Sequence, residues 1–302
     1  MAQIITTGST PKAMWPGVKA WFGTEYDKHQ EEWPDLFDQD TSEKAYEEVV
    51  QNTGFGLPQV KPQTESIVYD TQGQGYTKRF THVPYALGYM VSQEEMRDNQ
   101  YEAVAKRRTP DLAFSMRQGH ETVCAMVYNR AFTSGYTGGD GKLLCAPDHP
   151  TQVGNQSNLD TAADLSEASL EDSVIATMTT VDDRGRKINL VAQSLHIHPN
   201  EIFNATRILK SVLQNDTANN AVNALKVVNA LPKGAKINHY FDDTDAWFVR
   251  NNARNAMMHF QRDPIEFGED GVFDNKVQKY ASYERFVASW ADWRGIRGNA
   301  GA

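Results

Sequence analysis

The stretch Ser92–Phe132 constrains this chain more than any other. Ser92-Gln93-Glu94-Glu95 places a serine three residues before a glutamate, the capping box that opens a helix by satisfying orphan amide donors. From there a helical pattern runs to about Phe132, far beyond the ~11–12 residues of an average helix. Pro110 falls in the middle; it lacks an amide hydrogen and is expected to kink the helix or split it in two. The residues before it are charged (Arg97, Asp98, Lys106, Arg107, Arg108). After it Leu112, Met116, Val123, Val127 and Ala131 form one apolar stripe, with Cys124 and Tyr128 alongside. A helix of this length predicts an elongated molecule rather than a globule.

Other segments read around that helix. Residues 60–91 predict a two-stranded ribbon: Gln63–Asp70 is rich in Thr, Ile, Val and Tyr, Gln72–Gly75 is a turn, and Tyr76–Tyr85 returns. At ~3.3 Å per residue its arms reach roughly 30–50 Å. An isolated hairpin is marginal in water, so so polar a ribbon must lie on a surface. A partner chain is the expected surface, with the chain's own domain as the alternative. Residues 1–20 read as irregular and Ser42–Asn52 as a short helix ending before Gly54. Gly135–Asn158 is turn-rich around a strand-like Lys142–Ala146. Ala168–Val181 is an amphipathic helix entered from Asp164 or Ser166, Ile188–His198 a buried strand, and Pro199–Leu213 a helix with proline in its first turn. Asn215–Asn223 is a loop, followed by short strands at Lys226–Asn229, Ala235–Phe241, Ala246–Arg250, Ala256–Gln261, Val277–Ser282 and Arg285–Trp290. The fold class is α+β with mostly antiparallel pairing.

Composition narrows the function classes. Across 302 residues the formal charge is -9, which argues against a broad basic face for reading DNA sequence. Six Trp, 12 Tyr and 13 Phe exclude wholesale disorder. No apolar run approaches the ~20 residues of a membrane span, and Met1–Gly8 carries no signal-peptide pattern, so no membrane partner is expected. Two cysteines, Cys124 and Cys145, make no disulfide framework. Charge is uneven. Residues 1–50 hold ten carboxylates against four lysines, interleaved with Trp15, Trp21, Trp33, Phe22 and Phe37. Such a segment docks through its rings with carboxylates facing water, either on a partner or as a helix pair on its own core. Residues 276–302 are basic (Lys276, Lys279, Arg285, Arg294, Arg297 against Glu284 and Asp292), so the two ends are of a kind to attract.

No set of residues assembles a catalytic site. His196-x-His198 has the spacing of two metal ligands on one strand face, and Glu201 lies nearby, but a strand end followed by Pro199-Asn200 explains the histidines as well. Gly138-Gly139-Asp140-Gly141-Lys142 lacks the hydroxyl residue and helix of a phosphate loop and reads as a turn. Cys145 beside Asp148-His149 is a weak nucleophile pattern. Asp182-Asp183 and Asp242-Asp243 with Asp245 are turn carboxylates rather than a calcium loop. The expectation is no catalytic, cofactor-binding or metal residue, and no enzyme.

The order of elements, with three motifs, resembles the major capsid (major head) proteins of tailed bacteriophages, which share the Hong Kong 97-type fold. Leu195–Leu209, with His198-Pro199-Asn200-Glu201-Ile202 at its centre, is similar to the family's strand-then-helix segment. Asp243-Thr244-Asp245-Ala246-Trp247-Phe248-Val249 resembles its Asp/Thr turn into a Trp-Phe strand. Tyr283-Glu284-Arg285-Phe286-Val287 with Asp292-Trp293-Arg294-Gly295 resembles its closing strand and turn. The resemblance spans roughly 60–295.

What the resemblance implies is a division into an N-arm (1–59), an extended β-hairpin loop over an adjacent subunit (60–91), a peripheral domain with its spine helix (92–187), an axial domain (188–262) and a return to the peripheral domain (263–302). The implied function is a structural subunit self-assembling as hexamers and pentamers of an icosahedral virion shell around double-stranded DNA, formed in the host cytoplasm. Implied partners are copies of itself, a portal protein, a separate scaffolding protein (no charged leader precedes the N-arm, unless one is removed), a decoration protein, and DNA held non-specifically. A negative subunit suits enclosure, since a strongly basic lining would trap the polymer; Arg107, Arg108 and Arg117 are candidates for local phosphate contact. Some relatives cross-link a loop lysine to a neighbour's asparagine; Lys78 is available, but no asparagine is singled out. The alternatives are an encapsulin-like compartment enclosing a cargo enzyme and, more remotely, a metal-dependent hydrolase using His196, His198 and Glu201.

Overall fold

The structure is a computed structural model that describes residues 15–98, 101–213, 221–272 and 277–302. Its helices are α1 (Trp15–Lys28), α2 (Trp33–Leu36), α3 (Gln93–Asp98), α4 (Tyr101–Asn129), α5 (Glu167–Thr179), α6 (Ile202–Lys210) and α7 (Ala224–Val228). Its strands begin with β1 (Asp38–Thr41), β2 (Tyr46–Asn52), β3 (Gln74–Thr81), β4 (Val83–Ser92), β5 (His149–Thr151) and β6 (Gly154–Gln156). They continue with β7 (Ala192–Ile197), β8 (Ala235–Ile237), β9 (Trp247–Asn251), β10 (Met257–Val272), β11 (Val277–Trp290) and β12 (Ile296–Asn299). Two four-stranded sheets run in the orders β1-β10-β11-β4 and β12-β9-β7-β8, and β2-β3 and β5-β6 are two-stranded ribbons. The chain divides into two compact units, one of residues 1–31, 82–123 and 261–287, the other of 32–81, 124–260 and 288–302.

In the first unit the apolar stripe of α4 is the organising surface. Leu112, Ala113 and Met116 meet Phe22 and Tyr26 of α1, Val91 of β4, and Phe267 and Tyr280 of the sheet. Arg117, almost wholly buried, ion-pairs with Glu31 at 2.6 Å and lies 3.7 Å over the Tyr26 ring, which locks α1 onto the core. Of the aromatics of the acidic N-terminal segment, Phe22 and Tyr26 therefore pack on the chain's own core; the side chains of Trp15 and Trp21 lie outside the described residues. Ser92 caps α3 as its sequence predicts, accepting a bond from the Glu95 amide at 3.2 Å. Glu95 itself turns to Arg108 at 2.6 Å. Pro110 does not split the helix: α4 is unbroken from Tyr101 to Asn129. Proline costs a helix about 3 kcal/mol, and burial of Thr109, Leu112, Ala113 and Met116 around it outweighs that loss.

In the second unit β7 lies antiparallel to β9 and parallel to β8. Leu195, Ile197, Trp247 and Val249 from the sheet pack against Leu170 and Val174 of α5 and Ala205 and Ile208 of α6. Helix α5 starts at the expected Ser166, whose hydroxyl accepts from the Ser169 amide. Pro199 opens a short 3-10 turn that leads into α6. The Asp243 carboxylate accepts from the Asp245 and Ala246 amides at 3.0 and 3.3 Å, turning the chain into β9.

Several expectations are corrected. Ser42–Asn52 is not a helix: Tyr46–Asn52 is strand β2, because its alternating half-buried pattern pairs with β3 from Tyr46↔Thr81 to Asn52↔Gln74, with Glu48 opposite Arg79. The ribbon of Gln63–Asp70 against Tyr76–Tyr85 does not form. Strand β3 pairs with β2 instead, and β4 pairs with β11 from Val83↔Phe286 to Ser92↔Val277, which leaves 53–73 without regular structure. Lys142–Ala146 is irregular rather than a strand. Lys226–Asn229 belongs to helix α7, because Asn223 caps its start and Asn229, at φ 52°, ends it. The three short strands expected from Ala256 to Trp290 are two long ones, β10 and β11. Much of the expected loop Asn215–Asn223, and Lys276, lie outside the described residues.

Candidate assembly surfaces

The residues singled out for chemistry are committed to structure. His196 is fully buried, bonds Ser194 Oγ through Nε2 at 2.9 Å, and is pushed down to about 3 by burial and then by the nearby cations Arg250, Lys236 and Lys233. His198 Nδ1 accepts from the Asn200 amide at 3.1 Å, and Glu201 accepts from Asn204 at 2.8 Å. Each of the three thus faces its own local partner. Cys145 is buried, which raises its thiol far above the range of a nucleophile. His149 does not turn to it: Nδ1 meets Asp140 at 2.6 Å, Nε2 meets Asn158 at 3.0 Å, and the ring stacks on Trp293 at 4.3 Å. Asp148 pairs with Lys142.

The 138–142 turn serves packing. A Cβ on Gly139 would come within 2.8 Å of the Tyr76 ring, and one on Gly138 within 2.8 Å of the Trp290 indole nitrogen. Lys78 donates to the Thr137 carbonyl at 3.0 Å and lies 5.0 Å over the Trp290 ring. Burial lowers its pKa. The lysine named as available for a cross-link is thus held against its own unit. This turn seats strand β3 from one side.

A second clamp holds the other end of the ribbon. Arg184 donates to Asp70 and to the Thr71 carbonyl, each at 2.6 Å. Asp70 also accepts from the Gly56 amide at 2.6 Å. The amides of Gly56 and Thr71, then Arg184, hold its carboxyl below the usual carboxylate range. Arg186, fixed by Asp182 at 2.5 Å, approaches Gly54 so closely that a Cβ there would come within 2.6 Å. Gln51 reaches Asp183 at 3.1 Å, and Thr53 closes the base on Gly73 at 3.0 Å. Asp183 in turn takes Arg294 of the closing turn at 2.5 Å. The sequence offered signals for this clamp in Gly138-Gly139 and in the alternating charges of Asp182-Asp183-Arg184-Gly185-Arg186, both of which read only as turns.

Beyond these contacts, 53–73 carries apolar side chains into solvent. Val60 is 95% exposed, Tyr69 89% and Leu57 76%, with Phe55, Ile67 and Val68 also exposed. Exposed apolar residues so concentrated in sequence make this segment a candidate interaction surface. A second exposed apolar group, Phe203, Val212, Val227 and Val228, lies on and beside α6 and α7.

Among the described residues, several charges of the two ends take partners elsewhere in the chain. Glu32 takes His239, Asp35 takes Lys236 at 3.0 Å and Asp38 takes Arg250 at 2.6 Å. At the other end Arg297 takes Asp160 at 2.5 Å. Of the arginines considered for phosphate, Arg108 and Arg117 are engaged by Glu95 and Glu31, and the side chain of Arg107 lies outside the described residues. No helix of the described residues is long and apolar enough to cross a membrane.

Comparison with known proteins places this architecture. A family model described as phage capsid protein matches residues 75–299. Among solved structures, the capsid of a native GTA particle is similar at TM-score 0.55 with 12% identity, 90% of each chain being covered. A Microbacterium phage Oxtober96 chain is similar at TM-score 0.54 with 8% identity, over 89% of this chain and 90% of that one. The capsid of Myoviridae phage XM1 is similar at 0.52 with 12% identity, over 88% and 89%. No curated protein sequence matches the chain.

Proposed function

The chain belongs to the phage capsid protein family, and from that premise we propose that it builds the icosahedral head of a tailed phage as hexamers and pentamers enclosing double-stranded DNA. Its fold is the Hong Kong 97 type, and its role is structural: a shell protein located in the virion capsid. The observation that carries the finer reading is the 53–73 segment, apolar at its tip and clamped at its base. A shell made of one chain requires each subunit to bury several surfaces, and stable interfaces take ~1,200–2,000 Å² each. A projecting segment adds such a surface, and its ordering cost is offset on assembly.

In this reading residues 1–59 act as N-arm, the 60–91 region as the extended loop lying over an adjacent subunit, with 60–73 as its exposed part, 92–187 and 263–302 as peripheral domain and 188–262 as axial domain. The exposed residues beside α6 and α7 support an axial contact between copies. A portal, a separate scaffolding protein, a decoration protein and non-specifically held DNA are the proposed partners, with assembly in the host cytoplasm. The test is expression alone and together with the neighbouring head genes, followed by negative-stain electron microscopy. Uniform particles are expected. A strictly monomeric protein under both conditions overturns the reading.

A further inference from the structure

We propose that the open edge of β4 is completed in the shell by residues 65–70 of a second copy, which add a strand to the β1-β10-β11-β4 sheet. The proposal rests on the self-assembly reading and names where its exposed segment docks.

Strand β4 ends the sheet order and pairs only with β11 among the described residues. Its neighbourhood, residues 82–92, contains no Asp, Glu, Lys or Arg. Free edges are normally short, charged or capped with proline, because a row of unpaired amides and carbonyls otherwise recruits another strand. Here Pro84 guards only the start of a ten-residue strand. Val83 and Leu87 on one face and Met90 on the other are exposed. The other candidate edges are poorer. Strands β1, β8 and β12 have three or four residues, and the β2-β3 ribbon carries Glu47, Glu48, Lys78 and Arg79.

The occupant has the complementary defect. Within Glu65–Asp70, Ile67-Val68-Tyr69 is a run of strong strand formers with no strand to join. Its Ile67, Val68 and Tyr69 are exposed, and among the described residues the backbone of 66–69 makes no hydrogen bond. Laid along β4 as an added strand, Ile67 and Tyr69 face one side and Val68 the other, so both faces of the edge gain an apolar neighbour. Backbone bonding supplies the affinity and these three side chains the register. Each copy carries one edge and one segment, so a single chain type satisfies every edge through a head-to-tail contact that closes into rings.

The test co-expresses Val68→Cys with Met90→Cys or Ala86→Cys, one substitution per copy, and oxidises the particles. A reducible product of twice the subunit mass is expected from at least one mixture and from neither variant alone; the native Cys124 and Cys145 are buried. In parallel, amide exchange on the unsubstituted protein is expected to show residues 66–69, and the alternate amides of 85–91 that face away from β11, protected in particles and exchanging in dissociated subunits. Particles that form without that protection, or without any cross-link, overturn the edge pairing and leave the shell reading standing. Protection in the isolated subunit of the alternate 85–91 amides that face away from β11 assigns the edge to the chain itself and also overturns the proposal. Absence of particles from the unsubstituted protein removes the shell reading and the pairing together.

Discussion

Gly295 shows how little room a single residue can leave. A Cβ at this position would sit 1.9 Å from the Ala256 Cβ, a backbone-fixed atom that cannot swing away. Gly295→Ala is therefore expected to destabilise the fold by about 1–3 kcal/mol or more, read as a lowered urea midpoint with unchanged slope. His196 makes a different demand. It is held neutral in the native state at about 3, while the unfolded imidazole titrates near 6.5. Between those values the unfolded chain binds a proton that the native one does not, so stability falls as pH falls through this window. The slope is about 1.4 kcal/mol per pH unit. His196→Gln is expected to flatten that dependence in unfolding measured from pH 6.5 to 4; an unchanged slope would place the acid sensitivity elsewhere. Tyr128 donates its buried hydroxyl to the Leu36 carbonyl at 2.9 Å. Tyr128→Phe leaves that carbonyl unpaired and is expected to cost about 1–3 kcal/mol by denaturant titration.

The β2-β3 ribbon behaves as an element whose free end depends on its clamps. Arg184 and Asp70 are partly exposed, so solvent screens their pair and it adds little to global stability. Its effect is local: Arg184→Ala is expected to leave the melting temperature within about 1–2 °C while speeding proteolysis and amide exchange across 53–73. If the segment stayed as protected as before, the clamp would be idle. On the seat side, Gly139→Val drives a branched side chain into Tyr76 and is expected to displace β3, detected as loss of the Lys78 contact with Trp290 in indole fluorescence. The contrast between Pro110 and Ser42–Asn52 belongs at this scale too. In both places local preference pointed one way and packing took the other: buried neighbours carry α4 through its proline, and cross-strand partners turn a helix-like stretch into β2.

At the scale of the molecule, assembly is the property to perturb. Replacing residues 57–69 by a short Gly/Ser linker leaves Thr53, Gly56, Asp70 and Gly73 at the base and removes only the exposed apolar tip. The variant is expected to fold with an unchanged far-UV spectrum and to sediment as unassembled subunits where the parent forms particles. Particles of normal size from this variant would show that the tip is dispensable for closure.

Periodicity and caps made much of this protein legible in advance. Ser92 and Ser166 mark helix starts, the stripe after Pro110 marks a core face, and Trp247-Phe248-Val249 marks a buried strand, because each is written in residues near one another in sequence. Family membership was readable for the same reason, through short motifs around Pro199, Asp243 and Asp292. Strand partnership was not. Whether β3 pairs with β2 or with the residues just before it depends on closing one loop rather than another, and those costs differ by little. The turns Gly138–Lys142 and Asp182–Arg186 become clamps only because the fold brings β3 and Asp70 to them, across separations of 59 and 114 residues. Local chemistry set the helix starts and the buried strand β9; long-range contact decided β2, the continuity of α4 and which segment was left without a strand partner.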